Sequence, residues 1–305
     1  MGKLNTIEFQ KIMMTQLDQH AVASLTSGWM EKNAKGLIYN GGDEVKIPTM
    51  STQGLANYDR SEGFTKGGVT VAYNSYKMTQ DRGRTFLLDA MDVNESNFVA
   101  TAANVLKTFQ ETQVIPEIDS YRYSKIYSIA QAGSRTESVK ITAENVFVKL
   151  RADIRKVQDK IGTSAKLIIT MPLAILGLLE ENEKLRHFIS VSDFTQGEVN
   201  FRIKKFDGHA IVTPPADRLK TLYDIKTGAV GQEAGGLTPN ASAKDINWII
   251  AAENAPMAVS KTDKIRVFEP DTNQSADAWK VDYRKYHDLW VKKQQEDALF
   301  VSVSV

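Results

Sequence analysis

The chain has 305 residues, of which 42% are hydrophobic and 25% are charged, as in an ordinary globular protein. Its 38 basic and 37 acidic side chains nearly cancel, which excludes the strong overall positive charge of a general nucleic-acid binder. The absence of cysteine excludes disulfides, thiol nucleophiles and cysteine-ligated zinc, and no apolar run is long enough to predict a membrane span.

The first predicted elements are an N-terminal arm and a long hairpin. Apolar residues at helical spacing between positions 4 and 32 predict one or two amphipathic helices and lack the continuous apolar core of a signal peptide. Residues 44–89 predict two long strands joined by a polar, glycine-punctuated tip at 51–68. Because an isolated two-stranded ribbon is marginally stable in water, we expect this hairpin to lie on a neighbouring chain.

Two long amphipathic helices are predicted after the hairpin. Asp92 and Glu95 have the spacing of a capping box, and the apolar stripe behind them predicts a helix that reaches Ile115. Pro116 has no backbone N–H, so the helix should either kink there or restart with the proline in the first turn, and we predict the restart over 115–126. A second helix is predicted over 143–161 and should end at Gly162.

The remaining sequence mixes strands and short helices, which favours the fold class α+β. The predicted elements are, in order, a buried-type strand at 166–171, a helix that begins at Pro172, strands at 201–206 and 209–214, a glycine-rich loop at 228–236, three short strands at 247–252, 257–262 and 264–270, and a closing ribbon from Trp279 to the C-terminus.

The sequence shows no pattern of residues that would carry catalysis. The four histidines lie far apart without metal-ligand spacing, and the glycine-rich stretches have neither a Walker lysine nor a GxGxxG motif. Carboxylate pairs such as Glu180 with Glu181 lie at polar helix ends, where solvation explains them. We therefore predict no catalytic, cofactor-binding or metal-binding residues.

Taken in order, these elements resemble the coat-protein fold of tailed bacteriophages, the Hong Kong ninety-seven type, which herpesvirus shells and encapsulin nanocompartments share. The stretch NVLKTFQETQVIPEIDSYRYSKI (104–126) is similar to the spine-helix region of coat proteins from phages and prophages of Gram-positive bacteria. The run from the 143–161 helix through LIITMPLAILGLLEEN is similar to the axial domain of that family. The resemblance implies an N-terminal arm at 1–40, an extended loop at 41–93, a peripheral domain with a spine helix at 94–142, an axial domain at 143–255 and returning peripheral-domain strands at 256–305.

The resemblance also implies a structural function. The chain would be a major capsid subunit that assembles with copies of itself, in the host cytoplasm, into the pentamers and hexamers of an icosahedral shell around double-stranded DNA. The N-terminal arm would clasp a neighbour or engage a scaffold. The implied partners are further copies of the chain, scaffold and portal proteins, and packaged DNA bound without sequence preference, with no membrane and no cofactor.

Seven residues are predicted to make contacts between subunits: Arg60, Phe64, Lys66, Arg82, Arg84, Arg151 and Arg155. Some relatives link an extended-loop lysine to a peripheral-domain asparagine by an isopeptide bond, and Lys66 is the candidate here. The alternative is a solvated lysine that keeps an exposed ribbon soluble. The basic residues of the 143–161 helix could also pair locally with Glu144, and a solvated helix face is then favoured over a dedicated contact between subunits.

Three other functions fit parts of the sequence. An encapsulin-like compartment would share the fold and enclose cargo enzymes in place of a genome. A phage tail-tube or connector protein would also assemble through hairpins. A soluble α+β enzyme would use the hairpin as a lid over a substrate cleft, although the sequence lacks its catalytic residues.

Overall fold

A computed structural model describes residues 24–34, 38–39, 44–58, 60–61, 63–89, 102–181, 189–196, 199–269, 273 and 277–305. The strands within these ranges are β1 (Ile38–Tyr39), β2 (Glu44–Thr52), β3 (Val69–Lys77), β4 (Gln80–Asp89), β5 (Thr136–Ser138), β6 (Leu167–Thr170), β7 (Ile189–Gln196), β8 (Val199–Phe206), β9 (His209–Val212), β10 (Tyr223–Lys226), β11 (Gly236–Pro239), β12 (Ile246–Ala252), β13 (Pro256–Phe268), β14 (Ala278–Val291) and β15 (Leu299–Val303). The α-helices are α1 (Ala102–Phe109), α2 (Ile115–Ala132), α3 (Val146–Ile161) and α4 (Leu173–Glu180).

The predicted hairpin is present, but its second strand changes partners part-way along. Strands β2 and β3 pair antiparallel in an unbroken register from Glu44 opposite Lys77 to Thr52 opposite Val69. After Met78 the chain enters β4, which pairs with β14 in a different sheet. The prediction of two long strands over 44–89 is therefore wrong in its second half, because the buried side chain of Met78 separates the free hairpin from a strand of the body.

A three-stranded sheet in the order β13, β14, β4 packs against helices α1 and α2. Leu106 is buried among residues of this sheet, and Phe109 contacts the rings of Phe86 and Tyr283 edge-on at 4.9 and 5.6 Å. Gly83 permits close approach between β4 and β14, because a Cβ there would lie 2.8 Å from the carbonyl oxygen of Tyr283. The two strands predicted at 257–262 and 264–270 are one strand, β13, with a register shift after Thr262.

The long helix continues past Pro116, and its second part ends at Ala132, beyond the predicted restart at 115–126. A five-residue π-helical segment, Gln110–Val114, joins α1 to α2, so helical structure runs from Ala102 to Ala132. Pro116 lies in the first turn of α2, where its missing N–H breaks no helical hydrogen bond. The predicted restart with the proline in the first turn is therefore confirmed, and the π segment joins the two α-helical parts without a gap. The predicted capping box at Asp92 and Glu95 lies outside the described residues.

A seven-stranded mixed sheet in the order β5, β15, β12, β6, β9, β8, β7 forms the larger body. Every residue of β6 and β12 is buried, as expected for strands that are covered on both faces. Helix α3 supplies Leu150, Ile154 and Val157 to the same core, and it ends at Gly162 with φ near 89°, as its sequence predicts. No helix among the described residues is long and apolar enough to cross a membrane.

The C-terminal strand lies in this larger sheet. The sequence placed 256–305 among the peripheral strands, but β15 pairs antiparallel with β12 and parallel with β5. All five of its residues are buried, and an uninterrupted buried strand fits the interior of a two-sided sheet. The assignment of Leu299–Val303 to the peripheral ribbon is therefore corrected, while the other domain limits stay predictions.

Candidate functional site

The base of the hairpin is fixed to the body of the subunit. Val45 and Ile47 are buried, and they share a small apolar cluster with Met78, Met257 and Trp290. Beyond this anchor, none of the described residues from 48 to 75 is buried. The hairpin therefore extends beyond its anchored base with none of its described side chains buried.

The uncovered part of the hairpin has one apolar face. Pairing places Pro48 opposite Tyr73, Met50 opposite Val71 and Thr52 opposite Val69. Since side chains alternate along a strand, these pairs share one face, opposite to the face that buries Val45 and Ile47 at the base. We call this face the hairpin stripe, which consists of Pro48, Met50, Val69, Val71 and Tyr73. Relative exposures of 52% to 62% for its Met, Val and Tyr residues leave the stripe open to a partner.

The tip of the hairpin carries exposed aromatic and aliphatic side chains. Phe64 is 88% exposed and meets the ring of Tyr58 edge-on at 4.9 Å. Leu55 is fully exposed. These side chains have no core to enter within the described part of the chain, so the tip extends the apolar surface of the stripe.

A cleft of about 450 Å³ opens where β4, β14 and the helix around the π segment meet the loop between β10 and β11. Arg82 pairs with Glu117 at 2.6 Å and donates to the backbone carbonyl of Lys226 at 3.0 Å. Arg84 donates to the carbonyl of Glu233 at 2.8 Å. The two arginines of β4 therefore hold the glycine-rich loop over the cleft.

The interior of the cleft is electropositive. His287 lines the cleft and is 2% exposed. Burial, which is the largest cause, and the positive charges of Arg122, Lys285 and Arg82 together lower the pKa of its imidazole to about 3. His287 is therefore neutral at pH 7, and the charge in the cleft comes from arginine and lysine.

A buried carboxylate ties the N-terminal segment to the long helix. Asp119 is fully buried and accepts hydrogen bonds from the hydroxyls of Thr26 and Ser27 at 2.7 and 2.6 Å. It also pairs with Arg218 at 2.9 Å, and Arg122 pairs with Glu31 at 2.6 Å. Residues 24–34 are thus bound to their own subunit, and contact of the arm with a neighbour or a scaffold stays a prediction. The rest of the arm, 1–23, lies outside the described residues.

No protein-family model matches the chain, and no curated protein matches it. Solved structures do match. A chain of the bacteriophage PhiM1 mature capsid aligns at a TM-score of 0.57 and 11% identity, covering 88% of this chain and 84% of that chain. A chain of the cyanophage P-SCSP1u capsid aligns at a TM-score of 0.56 and 13% identity, covering 88% of this chain and 85% of that chain. A chain of the Staphylococcus phage Andhra capsid aligns at a TM-score of 0.50 and 10% identity, covering 87% of this chain and 81% of that chain.

The chain has the phage capsid fold. Because the sequence identities are only 11% and 13%, these matches show a shared fold, which covers 88% of the chain. The α+β coat-protein fold that the sequence predicts is confirmed. The assignment of the hairpin as the extended loop and of the helix from Ala102 to Ala132 as the spine helix stays a prediction.

The seven residues predicted to contact other subunits lie in three places of the capsid fold. Arg60, Phe64 and Lys66 are all exposed at the tip of the hairpin. Arg82 and Arg84 are at the cleft, where both already bind groups of their own chain. On α3, the guanidinium of Arg151 lies 5.4 Å from the ring centre of Phe147, and Arg155 is exposed. Their contacts with other subunits stay predictions.

Sequence reasoning missed the hairpin stripe, the cleft at His287 and the buried Asp119. The alternation of Val69, Val71 and Tyr73 is visible in the sequence, but their alignment with Met50 depends on the register of the hairpin. The residues that meet at the cleft come from four separate segments. No group of three or more histidine, aspartate or glutamate residues within the described ranges could hold a metal ion.

Proposed function

We propose that the chain is the major capsid subunit of a tailed bacteriophage and that copies of it assemble into a closed icosahedral shell. The observation that carries this proposal is the capsid fold, which spans 88% of the chain in two solved phage capsids. The chain would act by packing and not by catalysis. Its location would be the virion, after assembly in the host cytoplasm.

The hairpin is the part of the chain that would join subunits. Its stripe exposes apolar side chains along most of its length, and water disfavours such a surface. A neighbouring subunit that covered Met50, Val71 and Tyr73 would remove this surface from water. Pentamers and hexamers would then be held by many repeats of the same contact.

The other proposed partners follow from the shell. Scaffold and portal proteins would act during assembly, and double-stranded DNA would be enclosed. With a formal net charge of +1, the subunit would contact DNA through local basic side chains, so the contact would be independent of sequence and weakened by salt.

Negative-stain electron microscopy of the expressed protein, alone and with the products of its neighbouring genes, tests the proposal. We expect closed shells of uniform size. Rings that stack into tubes would indicate a tail-tube or connector protein, and shells that retain cargo enzymes without DNA would indicate an encapsulin-like compartment. A monodisperse monomer that turns over a substrate would overturn the structural function altogether.

A further inference from the structure

The cleft beside the spine helix has the features of a binding site. Its volume of about 450 Å³ lies within the range of small-ligand pockets, and it is bounded by four elements that are fixed to one another. We propose that this cleft binds an oxyanion, a carboxylate or a phosphate, carried on a small apolar body. This site is independent of the proposed function, because its residues lie together within one chain.

The charge of the lining selects an anion. Its basic side chains are Arg82, Arg84, Lys226 and Lys285, and its acidic side chains are Asp81 and Glu117. Both acids are already ion-paired: Asp81 with Arg284 at 2.7 Å, and Glu117 with Arg82 at 2.6 Å. Four basic side chains against two acidic ones give the lining a net positive charge, which would attract an anion and repel a cation.

A buried histidine in the lining also has an unsatisfied hydrogen-bonding atom. The imidazole of His287 lines the cleft and is 2% exposed, and its Nδ1 has no hydrogen-bond partner among the described residues. A buried polar atom without a partner costs free energy, and a ligand that enters the cleft can supply the missing hydrogen bond. With Nδ1 protonated in the neutral imidazole, this atom would donate to the oxyanion.

The remaining lining indicates what the anion is attached to. The side chains of Phe86, Phe109, Val114 and Ile118 form an apolar wall beside the basic groups. A ligand with a ring or a short alkyl chain next to its charged end would fill both parts. Such an anion could be a free small molecule or an acidic side chain that a second copy of the chain presents.

Calorimetric titration of the unassembled subunit with phenylacetate tests the site, and phenylacetamide is the matched uncharged probe. We expect saturable binding of one phenylacetate per chain and much weaker binding of the amide. Equal binding of the acid and the amide would overturn the proposal, and so would the absence of any saturable binding. Inorganic phosphate, titrated in the same way, tests whether the apolar body is needed.

A pair of double variants locates the site. Arg84→Gln with Lys226→Gln removes two charges from the rim of the cleft and leaves its apolar wall intact. Arg155→Gln with Lys140→Gln removes the same charge from exposed positions elsewhere. We expect the first variant to bind phenylacetate at least about tenfold more weakly and the second to bind like the wild type. Equal affinities for the two variants would place the anion outside the cleft.

Assembled particles distinguish the two sources of the anion. If the anion is free, particles bind phenylacetate as the subunit does. If a neighbouring copy inserts an acidic side chain, the probe binds the subunit and is excluded from the particle. Both results support the site. Failure of the proposed function would appear separately in electron micrographs, as subunits that bind the probe and form no shells.

Discussion

Met50 lies directly opposite Val71 across the hairpin, and both side chains are more than half exposed. At the base of the same hairpin, Ile47 lies on the other face and is completely buried. The apolar surface therefore changes face between the anchored base and the free end. One face of the hairpin is thus buried against its own subunit, and the other is exposed and, under the proposed function, would contact a partner.

Met50→Asp tests the stripe. A charge that is buried without a partner is costly, so this variant should form at least about tenfold fewer shells while the subunit remains folded. Ser51→Asp is the matched control, because it adds the same charge at the adjacent, opposite-facing position. Electron microscopy measures the shells, and circular dichroism verifies the fold. If both variants assemble, or if neither does, the stripe is not the contact surface.

Deletion of 54–66 tests the tip. The deletion leaves Gln53, Gly67 and Gly68 to connect the last strand pair, and the backbone N–H of Gln53 already donates to the carbonyl of Gly68. None of the described residues of the tip is buried, so the midpoint of thermal unfolding should stay within about 2 °C of the wild type. We expect a folded subunit that is defective in assembly. Normal shells from this deletion would show that the tip is not part of the brace between subunits.

Asp119→Asn tests the attachment of the N-terminal segment. The substitution keeps the size of the side chain but leaves Arg218 without its buried counter-charge, which should lower the free energy of unfolding by about 3 kcal/mol. Urea unfolding measures the loss, and limited proteolysis should cleave the segment at 24–34 faster. Asp217→Asn, at an exposed neighbour of Arg218, is the control and should change little. Equal stabilities for the two variants would contradict a structural role for Asp119.

The lowered pKa of His287 predicts that the protein loses stability in mild acid. The unfolded chain takes up a proton at this residue below about pH 6.5, whereas the folded chain resists protonation until about pH 3. Protons therefore favour the unfolded state between these values, and stability falls as the pH falls through this window. Between pH 7 and pH 5 the contribution of His287 is a loss of about 2 kcal/mol.

Urea unfolding of the wild type and of His287→Gln at the two pH values isolates this contribution. Other titrating groups, such as the half-buried His209, affect both proteins alike. The wild type should lose more stability than the variant on acidification. An equal loss in both proteins would mean that the folded chain protonates His287 near its ordinary pKa.

The sequence alone determined the elements whose signals are local. The 3.6-residue periodicity of Leu150, Ile154 and Val157 with Gly162 after it marks helix α3, and the polar tip between alternating segments marks the hairpin. The order of such elements was sufficient to predict the phage capsid fold, because that fold is defined by topology. The exposed tip residues Arg60, Phe64 and Lys66 could also be identified as candidate contacts in this way.

Only the tertiary structure decided which surfaces are covered. Alternation shows that Val45 and Ile47 share a face, but only the packing of Trp290 on them shows that this face is buried and that of Met50 is open. Asp119 meets Ser27 across 92 residues, and β15 enters the larger sheet beside β12 and not the peripheral ribbon. Contacts of this kind depend on how distant segments meet, and local periodicity carries no information about them.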